Sequence, residues 1–254
     1  MARSRHGGRG GRAQNGCAYL SEVVKPVLEV RRLGRTLFED AYALQKELVA
    51  ARCEDRIGDV LILTEHDPVV TVGRGTDVAS VGSVSPPIHE IERGGKATYH
   101  GPGQLVAYVI RALPEGERDL HTYLRDLEEV IIGVLGEFKL SAGRRDGQTG
   151  VWIGGQKIAS IGVAVSRWVT YHGLALNLHT DLAAFREFRP CGLDADVMTR
   201  LSNHVDLPPT NLLAEVLLVK HFCRVFGYEL PRPAPQEGAE GAEGDGRFPR
   251  LPML

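Results

Sequence analysis

The chain has 254 residues, 43% of them apolar, and a formal net charge of −2, which is enough for one large domain with a sizeable core or for two small ones. The near-neutral charge argues against a globally basic nucleic-acid binder. No apolar run approaches the ~20 residues that span a bilayer, which argues against a membrane protein. The cysteines are widely spaced and form no C-x-x-C pair, a pattern typical of reduced, cytoplasmic thiols.

Both ends of the chain have the composition of disordered segments. Residues 1–18 combine arginine with glycine, and residues 231–254 are rich in Pro, Gly, Glu and Ala. Neither segment can bury enough apolar surface to offset the entropy cost of ordering. No apolar segment follows the basic start, so it does not resemble a secretory signal. We therefore expect one domain over residues 19–230.

Strands and one helix are predicted in the first part of this domain. Thr36-Leu-Phe-Glu39 has the capping-box pattern, so Thr36 is expected to cap a helix. Apolar residues at steps of three and four predict its buried face: Leu37, Ala41, Leu44, Leu48 and Ala51. The predicted strands are 27–30, 59–64, 69–72 and 88–91.

In the second part of the domain, the apolar pattern predicts two helices and a group of strands. One helix carries apolar residues from Leu120 to Phe138, and the polar run 143–150 is expected to be a turn. The predicted strands are 105–110, 151–153, 157–165 and 168–178, and a short helix is expected at 181–188. Pro208-Pro209-Thr210 opens a last helix, whose predicted apolar face is Leu212, Val216, Val219, Cys223 and Phe226. One α/β domain is the simplest account.

The glycine-rich stretch from Arg93 to Tyr108 is the feature around which the chain is organised. Its glycines cluster with His100 and lead directly into a predicted strand. Glycine accepts positive φ and lets a ligand approach the backbone. The pattern therefore predicts a surface where main-chain N–H groups face a bound ligand, although it also fits a tight turn whose glycines serve shape alone.

Cys191 and Lys157 are candidates for chemistry. Cys191 stands between Pro190 and Gly192 at a break between elements, where a thiol can be exposed. A free thiol with a pKa of about 8.5 is only a few per cent ionised at neutral pH, so a reactive cysteine needs a nearby cation. Lys157 begins a strand with apolar alternate neighbours, and burial makes the pKa of a lysine movable. A surface lysine at a strand start is the competing interpretation.

His100 and His172 compete with Lys157 as the base in a Cys/His arrangement, since each adjoins a glycine. Cys53 and Cys223 fall on predicted helices and are interpreted as structural. No pair of His, Cys or carboxylate residues stands at ligand spacing with a third partner nearby, so no metal site is expected.

Four ordered motifs resemble the lipoyl(octanoyl) transferases of lipoate biosynthesis. They are Arg93-Gly94-Gly95 with Thr98-Tyr99-His100, Gly103-Gln104 and Tyr108; Gly155 through Gly162; Tyr171 through Leu178; and Pro190-Cys191-Gly192-Leu193. The resemblance covers most of residues 27–227. It implies an α/β (α+β) fold with a mixed, largely antiparallel sheet and packed helices, similar to the catalytic domain of biotin and lipoate protein ligases. Met198-Thr199-Arg200-Leu201 departs from the family's usual Val-Thr-Ser-Leu.

The resemblance implies an octanoyl-[acyl-carrier-protein]:protein N-octanoyltransferase. Cys191 is the implied nucleophile, and Lys157 lowers its pKa and shuttles protons. The donor is octanoyl-acyl-carrier protein. The acceptors are lipoyl domains of 2-oxoacid dehydrogenase complexes and the glycine cleavage H protein. No cofactor, metal, nucleic acid or membrane is implied, and a cytoplasmic monomer is expected. The implied substrate contacts are Arg93, Gly94, Gly95, Lys96, Ala97, Thr98, Tyr99, His100, Ser160, Ile161, Gly162, Gly173, Leu174 and Ala175.

Two other functions stay open. A lipoate or biotin ligase of the same fold would share a lysine like Lys157 but would use ATP and need no nucleophilic thiol, so Cys191 favours the transferase. A non-catalytic module that recognises acylated carrier proteins is the third hypothesis. Arg144, Arg145 and Arg167 are hypothetical docking residues for an acidic carrier protein, or else part of a solvated face.

Overall fold

A computed structural model describes residues 25–82, 84–187 and 195–231. The strands are β1 (Glu29–Thr36), β2 (Val60–His66), β3 (Val69–Val72), β4 (Ile88–Glu90), β5 (Thr98–His100), β6 (Gln104–Ile110), β7 (Ala142–Arg145), β8 (Gln148–Ile153), β9 (Gln156–Ser166) and β10 (Val169–Asn177). The helices are α1 (Phe38–Cys53), α2 (Leu120–Glu137) and α3 (Asn211–Phe226). Cys191, the predicted arm and all but the first residue of the predicted tail lie outside the described residues, so the domain boundaries stay predictions.

Two sheets form the framework. The larger one has the order β1-β2-β6-β10-β9-β8-β7, and the smaller one has the order β4-β3-β5. Only the β1–β2 pair of the larger sheet and the β3–β4 pair of the smaller one are parallel among the described strands. The predicted mixed, largely antiparallel sheet with packed helices is therefore confirmed.

Helices cover both faces of the larger sheet, which explains why the first four residues of β2, Val60 to Leu63, are all apolar. Successive side chains of a strand point to opposite faces. Leu61 and Leu63 pack in the cluster that includes α2 and α3 residues, whereas Val60 and Ile62 pack in the cluster that includes α1 residues. All of these side chains are fully buried. Hydrophobic burial on two faces thus fixes the sheet as the centre of the domain.

A third apolar cluster belongs to the smaller sheet. Val70 and Tyr99 of that sheet pack with Phe185, which lies in a 3₁₀ helix over Leu182–Glu187, and with Met198. The short helix expected at 181–188 is therefore confirmed as 3₁₀ structure over its described part. This cluster holds together the two chain segments that flank residues 188–194.

The prediction of Thr36 as a helix cap is wrong. Thr36 is the last residue of β1, paired with His66, and its hydroxyl lies 2.9 Å from the hydroxyl of Thr64. Leu37 occupies the cap position without a side-chain capping bond, and its side chain is 53% exposed. The ladder with β2 extends the first strand to residue 36, because pairing and not local pattern decides where an edge strand ends.

Two further predictions from local pattern are wrong. The run 143–150 holds most of β7 and the start of β8, with only a tight turn between Arg145 and Gln148. β7 is an edge strand, where polar side chains are ordinary. In α3, Leu212 and Val216 are exposed, whereas Ala214, Leu218 and Phe222 are buried along with the correctly predicted Val219 and Cys223. β5 was not predicted as a strand.

Gly173 is the point in β10 that tolerates no side chain. A Cβ atom there would overlap the carbonyl oxygen of Ala107 on β6. We expect Gly173→Ala to lower the free energy of unfolding by about 2 kcal/mol or more, because neighbouring backbone cannot move aside. Gly136→Ala in α2 is the matched control, since no atom lies within 4 Å of its added Cβ. Denaturant unfolding should show the control unchanged or slightly more stable; equal stability of both variants contradicts the prediction.

Candidate active site

A cavity of about 540 Å³ lies between the glycine-rich segment and the centre of the larger sheet. This volume falls in the usual range for small-molecule sites, about 300–1,000 Å³. Most of its walls are apolar side chains and glycine backbone. The predicted contacts that line it are Arg93, Gly94, Gly95, Lys96, Thr98, His100, Ser160, Ile161, Gly162, Gly173, Leu174 and Ala175, together with Lys157.

Ala97 and Tyr99 do not line this cavity. Both are buried in the third apolar cluster, and the Tyr99 ring makes an edge contact with Phe185. Side chains alternate along β5, so Thr98 and His100 face the cavity while Tyr99 faces away. The implied run of contacts from Arg93 to His100 is therefore interrupted in the structure, because Ala97 and Tyr99 do not line the cavity.

The glycine-rich segment is held against β9 by main-chain contact. The Gly94 N–H donates to the carbonyl oxygen of Val163 at 2.9 Å. A Cβ at Gly162 would lie 3.0 Å from the Gly94 carbonyl oxygen, so a side chain there would make this crossing tight. The buried Arg93 guanidinium donates to the backbone oxygen of Thr71 at 2.8 Å and to its hydroxyl at 3.0 Å. These bonds fix one wall of the cavity to both sheets.

Lys157 places an amine in this cavity. Lys157 is 3% exposed. Its Nζ lies 5.7 Å from the centre of the Trp152 ring, which is a cation–π arrangement. The Lys157 carbonyl oxygen accepts a hydrogen bond from the Thr199 N–H at 2.9 Å. The structure therefore makes Lys157 a buried cavity residue and excludes the surface interpretation.

The Met198–Leu201 segment, where the sequence departs from the resembled motif, is well anchored. Met198 forms a β-bridge with Lys157. The Thr199 hydroxyl lies 2.9 Å from Nε2 of His204, and its carbonyl oxygen accepts from Asn177. Thr199 is therefore hydrogen-bonded in this chain, although the segment around it differs from the family's usual Val-Thr-Ser-Leu.

The sequence of this chain matches a known protein family. Residues 38–223 match the model of the lipoyl protein ligase A/B catalytic domain. This chain belongs to that family. The resemblance that the motifs indicated is therefore confirmed.

Several relatives carry the name octanoyltransferase. One from Geobacter metallireducens is 48% identical over 68% of this chain and 81% of its own length. One from Synechococcus sp. strain JA-2-3B'a(2-13) is 42% identical over 82% of this chain and 86% of its own. One from Myxococcus xanthus is 37% identical over 89% of this chain and 68% of its own.

Solved structures share the fold at much lower identity. Lipoate-protein ligase A bound with ATP has a TM-score of 0.64 and 17% identity, and the match covers 83% of this chain and 89% of that one. A bipartite lipoate protein ligase from Thermoplasma acidophilum has a TM-score of 0.62 and 17% identity, with 83% and 87% covered. These likenesses confirm the lipoate ligase fold.

The described residues of this family member contain no cluster of three or more His, Cys, Asp or Glu side chains that could hold a metal ion. In the same residues, no helix combines the length and the apolar composition that crossing a membrane requires. The expectations of no metal and no membrane stay predictions.

The three arginines proposed for docking differ in their surroundings. Arg144 forms ion pairs with Glu128 and Glu129. Arg145 lies over the Trp152 ring at 5.1 Å. Arg167 takes a positive φ of 48° at the turn between β9 and β10. Arg144 therefore has acidic partners within the fold, and the docking role of all three arginines stays a prediction.

Two buried histidines line the cavity of this family member. Burial lowers the pKa of His100 to about 3, with the charge of His66 as a smaller cause, and burial followed by the Arg93 charge lowers the pKa of His172 to about 3. The side-chain nitrogen of Gln104 already donates elsewhere, so its oxygen accepts from Nδ1–H of His100 at 2.7 Å. Both rings are therefore neutral at pH 7 and are weak bases.

Several lining residues were missed by sequence reasoning. Phe38 opens α1, Leu120 and Leu124 lie on α2, and Gln148 and Thr149 lie on β8. All of them lie outside the four motifs. Helix packing on the sheet brings them to the cavity, and no local signal marks them.

The two histidines make the stability of the fold depend on pH. A folded pKa below the unfolded value of about 6.5 means that the unfolded state binds protons first, so stability is full above pH 6.5 and falls as the pH drops toward 3. Between pH 7 and pH 5, each histidine should cost about 2 kcal/mol of unfolding free energy.

His172→Asn should lose about 2 kcal/mol less unfolding free energy than wild type between pH 7 and pH 5, because one of the two buried histidines is gone. Asn tolerates the positive φ of 58° at this position. Denaturant unfolding at pH 7 and pH 5 measures the difference. The exposed His121, changed to Asn, is the control and should keep the wild-type pH dependence. A wild-type dependence in His172→Asn would contradict the assignment.

Proposed function

We propose that this chain is an octanoyltransferase that moves an octanoyl group from octanoyl-acyl-carrier protein to a specific lysine of lipoyl domains, in lipoate biosynthesis. The relatives named octanoyltransferase, 37–48% identical, support the acyl group and the reaction class. The structural observation that carries the proposal is the buried Lys157 amine in an apolar, glycine-walled cavity. Such a slot suits a fatty chain, because its apolar surface leaves water there.

Cys191 is the proposed nucleophile. Its thiolate attacks the carbonyl carbon of the donor thioester and forms a tetrahedral oxyanion. Collapse of that oxyanion breaks the carbon–sulfur bond to the carrier, whose thiolate leaves and takes a proton from the Lys157 ammonium, and the octanoyl group stays on Cys191 as a thioester. The Lys157 ammonium stabilises the thiolate, and lowering a thiol pKa by about 1.5 units requires roughly 2 kcal/mol of such stabilisation.

Chain connectivity supports the meeting of Cys191 with Lys157. Cys191 is four residues from Glu187 and four from Ala195, so an extended chain puts it within about 14 Å of each. Both flanking segments pack together through Phe185 and Met198. Met198 is bridged to Lys157 itself. This short tether supports the proposed pairing of the Cys191 thiol with the Lys157 amine.

The second step delivers the acyl group to protein. The acceptor lysine amine attacks the Cys191 thioester, an amide forms and the Cys191 thiolate leaves. Lys157 in its neutral form accepts the amine proton. His100 and His172 are weaker candidates because their pKa values of about 3 make them poor bases. Glycine segments at Gly94 and Gly162 let the substrate lie against main chain.

The partners are proposed from the same reaction. Lipoyl domains of 2-oxoacid dehydrogenase complexes and the glycine cleavage H protein are the acceptors. The reaction needs no cofactor, and we propose a cytoplasmic monomer. An ATP-dependent lipoate or biotin ligase is the alternative. The solved lipoate ligases share the fold at 17% identity, which carries no information on the reaction.

Intact-mass measurement after mixing with octanoyl-carrier protein tests the intermediate. We expect one octanoyl adduct on the wild-type chain and none on Cys191→Ala. Lys157→Ala should acylate at least about tenfold more slowly, because the thiolate loses its counter-charge. Cys53→Ala is the matched cysteine control and should acylate like wild type. An adduct that persists in Cys191→Ala, or a wild-type rate in Lys157→Ala, overturns the assignment of that residue.

The requirement for ATP separates the transferase from the ligase. With octanoyl-carrier protein as donor and a lipoyl domain as acceptor, transfer should proceed at the same rate with and without ATP and Mg²⁺. Gel-shift or mass analysis of the lipoyl domain measures the product. Modification that occurs only with free octanoate and ATP would replace the transferase by the ligase, and modification in neither mixture would favour a binding module.

A further inference from the structure

Glu128 on α2 is a fully buried carboxylate that no predicted motif includes. Its side chain is 0% exposed. Oε2 pairs with Arg125 at 2.6 Å and with Arg144 at 3.1 Å, and Oε1 accepts the Gly150 N–H at 2.9 Å. A buried charge persists in a fold only when paired and hydrogen-bonded. This carboxylate thus ties α2 to β7 through Arg144 and to β8 through Gly150.

Gly150 stands directly against the amine end of Lys157. Its φ is 132°, a conformation that favours glycine. A Cβ added there would lie 2.6 Å from Cε and 3.2 Å from Nζ of Lys157, and 2.6 Å from the carbonyl oxygen of Ala159. The Gly150 peptide is therefore the surface against which the lysine side chain rests.

One hydrogen bond connects these two observations. The peptide nitrogen that Glu128 holds belongs to the residue that Lys157 contacts. Trp152, two residues along the same strand, lies beneath the amine. The position of β8 relative to β9 therefore sets where the ammonium group sits, and the carboxylate sets the position of β8 at this point.

We infer that Glu128 is a positioning residue, which holds the Gly150 peptide so that Lys157 is kept at its working position in the cavity. The inference rests on the proposed function for its catalytic consequence. Glu128 acts through Gly150 and touches no reacting atom. The carboxylate also explains the location of Arg144, which neutralises it with Arg125.

Three variants separate this role from a general loss of stability. Glu128→Leu removes both the charge and the acceptor for the Gly150 N–H. Glu128→Gln keeps an oxygen acceptor at the same position. Glu129→Gln removes another ion pair of Arg144, at 2.9 Å, without touching Gly150, and so is the matched control.

The first measurement does not depend on activity. Brief labelling of the folded chain with acetic anhydride, followed by peptide mass mapping, reports the reactivity of Lys157. We expect labelling to rise at least threefold in Glu128→Leu, less in Glu128→Gln, and to stay within 1.5-fold of wild type in Glu129→Gln. A wild-type rate in folded Glu128→Leu overturns the inference.

The second measurement is octanoyl transfer. The kcat of Glu128→Leu should fall at least tenfold, with partial rescue in Glu128→Gln and a KM for octanoyl-carrier protein within twofold of wild type. A fall in Tm with unchanged kcat overturns the inference. If wild type transfers no octanoyl group, the proposed function fails while Lys157 labelling still decides the positioning role.

Gly150→Ala covers the case in which Glu128→Leu does not fold. The added methyl group would lie 2.6 Å from both Cε of Lys157 and the carbonyl oxygen of Ala159, so the lysine side chain or its strand has to shift while the Glu128 side chain is unaltered. Labelling of Lys157 should then change at least threefold, and kcat should fall at least tenfold. Wild-type values of both quantities in this variant overturn the inference.

Discussion

A main-chain hydrogen bond from the Gly94 N–H to the carbonyl oxygen of Val163 joins the glycine-rich segment to the larger sheet where the cavity lies. It brings the backbone of one segment onto the backbone of another, and Gly162 leaves room for this approach, since a Cβ there would lie 3.0 Å from the Gly94 carbonyl oxygen. Arg93 strengthens the junction from inside by donating to Thr71 of the smaller sheet. The glycine-rich segment thus connects the two sheets and also forms a wall of the cavity. The absence of side chains at its glycines lets it lie close to β9 and leaves space for a ligand.

The buried amine depends on that framework. A lysine at 3% exposure needs surroundings that accept its charge, and the Trp152 ring face supplies one such contact. Glycine at position 150 leaves the room that the side chain occupies. The strand pairing between β8 and β9 is irregular here, with a register shift between Val151 and Trp152. Such irregularities often re-aim a side chain beside an active site.

Two titratable side chains that line the cavity, His100 and His172, are kept uncharged by burial. His100 and His172 lie among aromatic rings, with His172 stacked on Tyr42 at 5.7 Å, and burial keeps both rings neutral at pH 7. Buried Tyr108 hydrogen-bonds to His66 at 2.7 Å, and burial raises the pKa of that tyrosine far above its ordinary value. His100 and His172 therefore add no charge to the cavity at pH 7, and its basic lining residues are Arg93, Lys96 and Lys157.

The sequence by itself determined the family, because four ordered motifs carry the resemblance, and the resemblance in turn implied the mixed sheet and many of the residues along the cavity. It also indicated Lys157 as a candidate. Only the tertiary structure decided that Lys157 is buried, that Ala97 and Tyr99 face away, and that Thr36 ends a strand. Each of these depends on which element packs against which. Such contacts join residues far apart in the chain, as Glu128 and Gly150 do, and no local pattern encodes them.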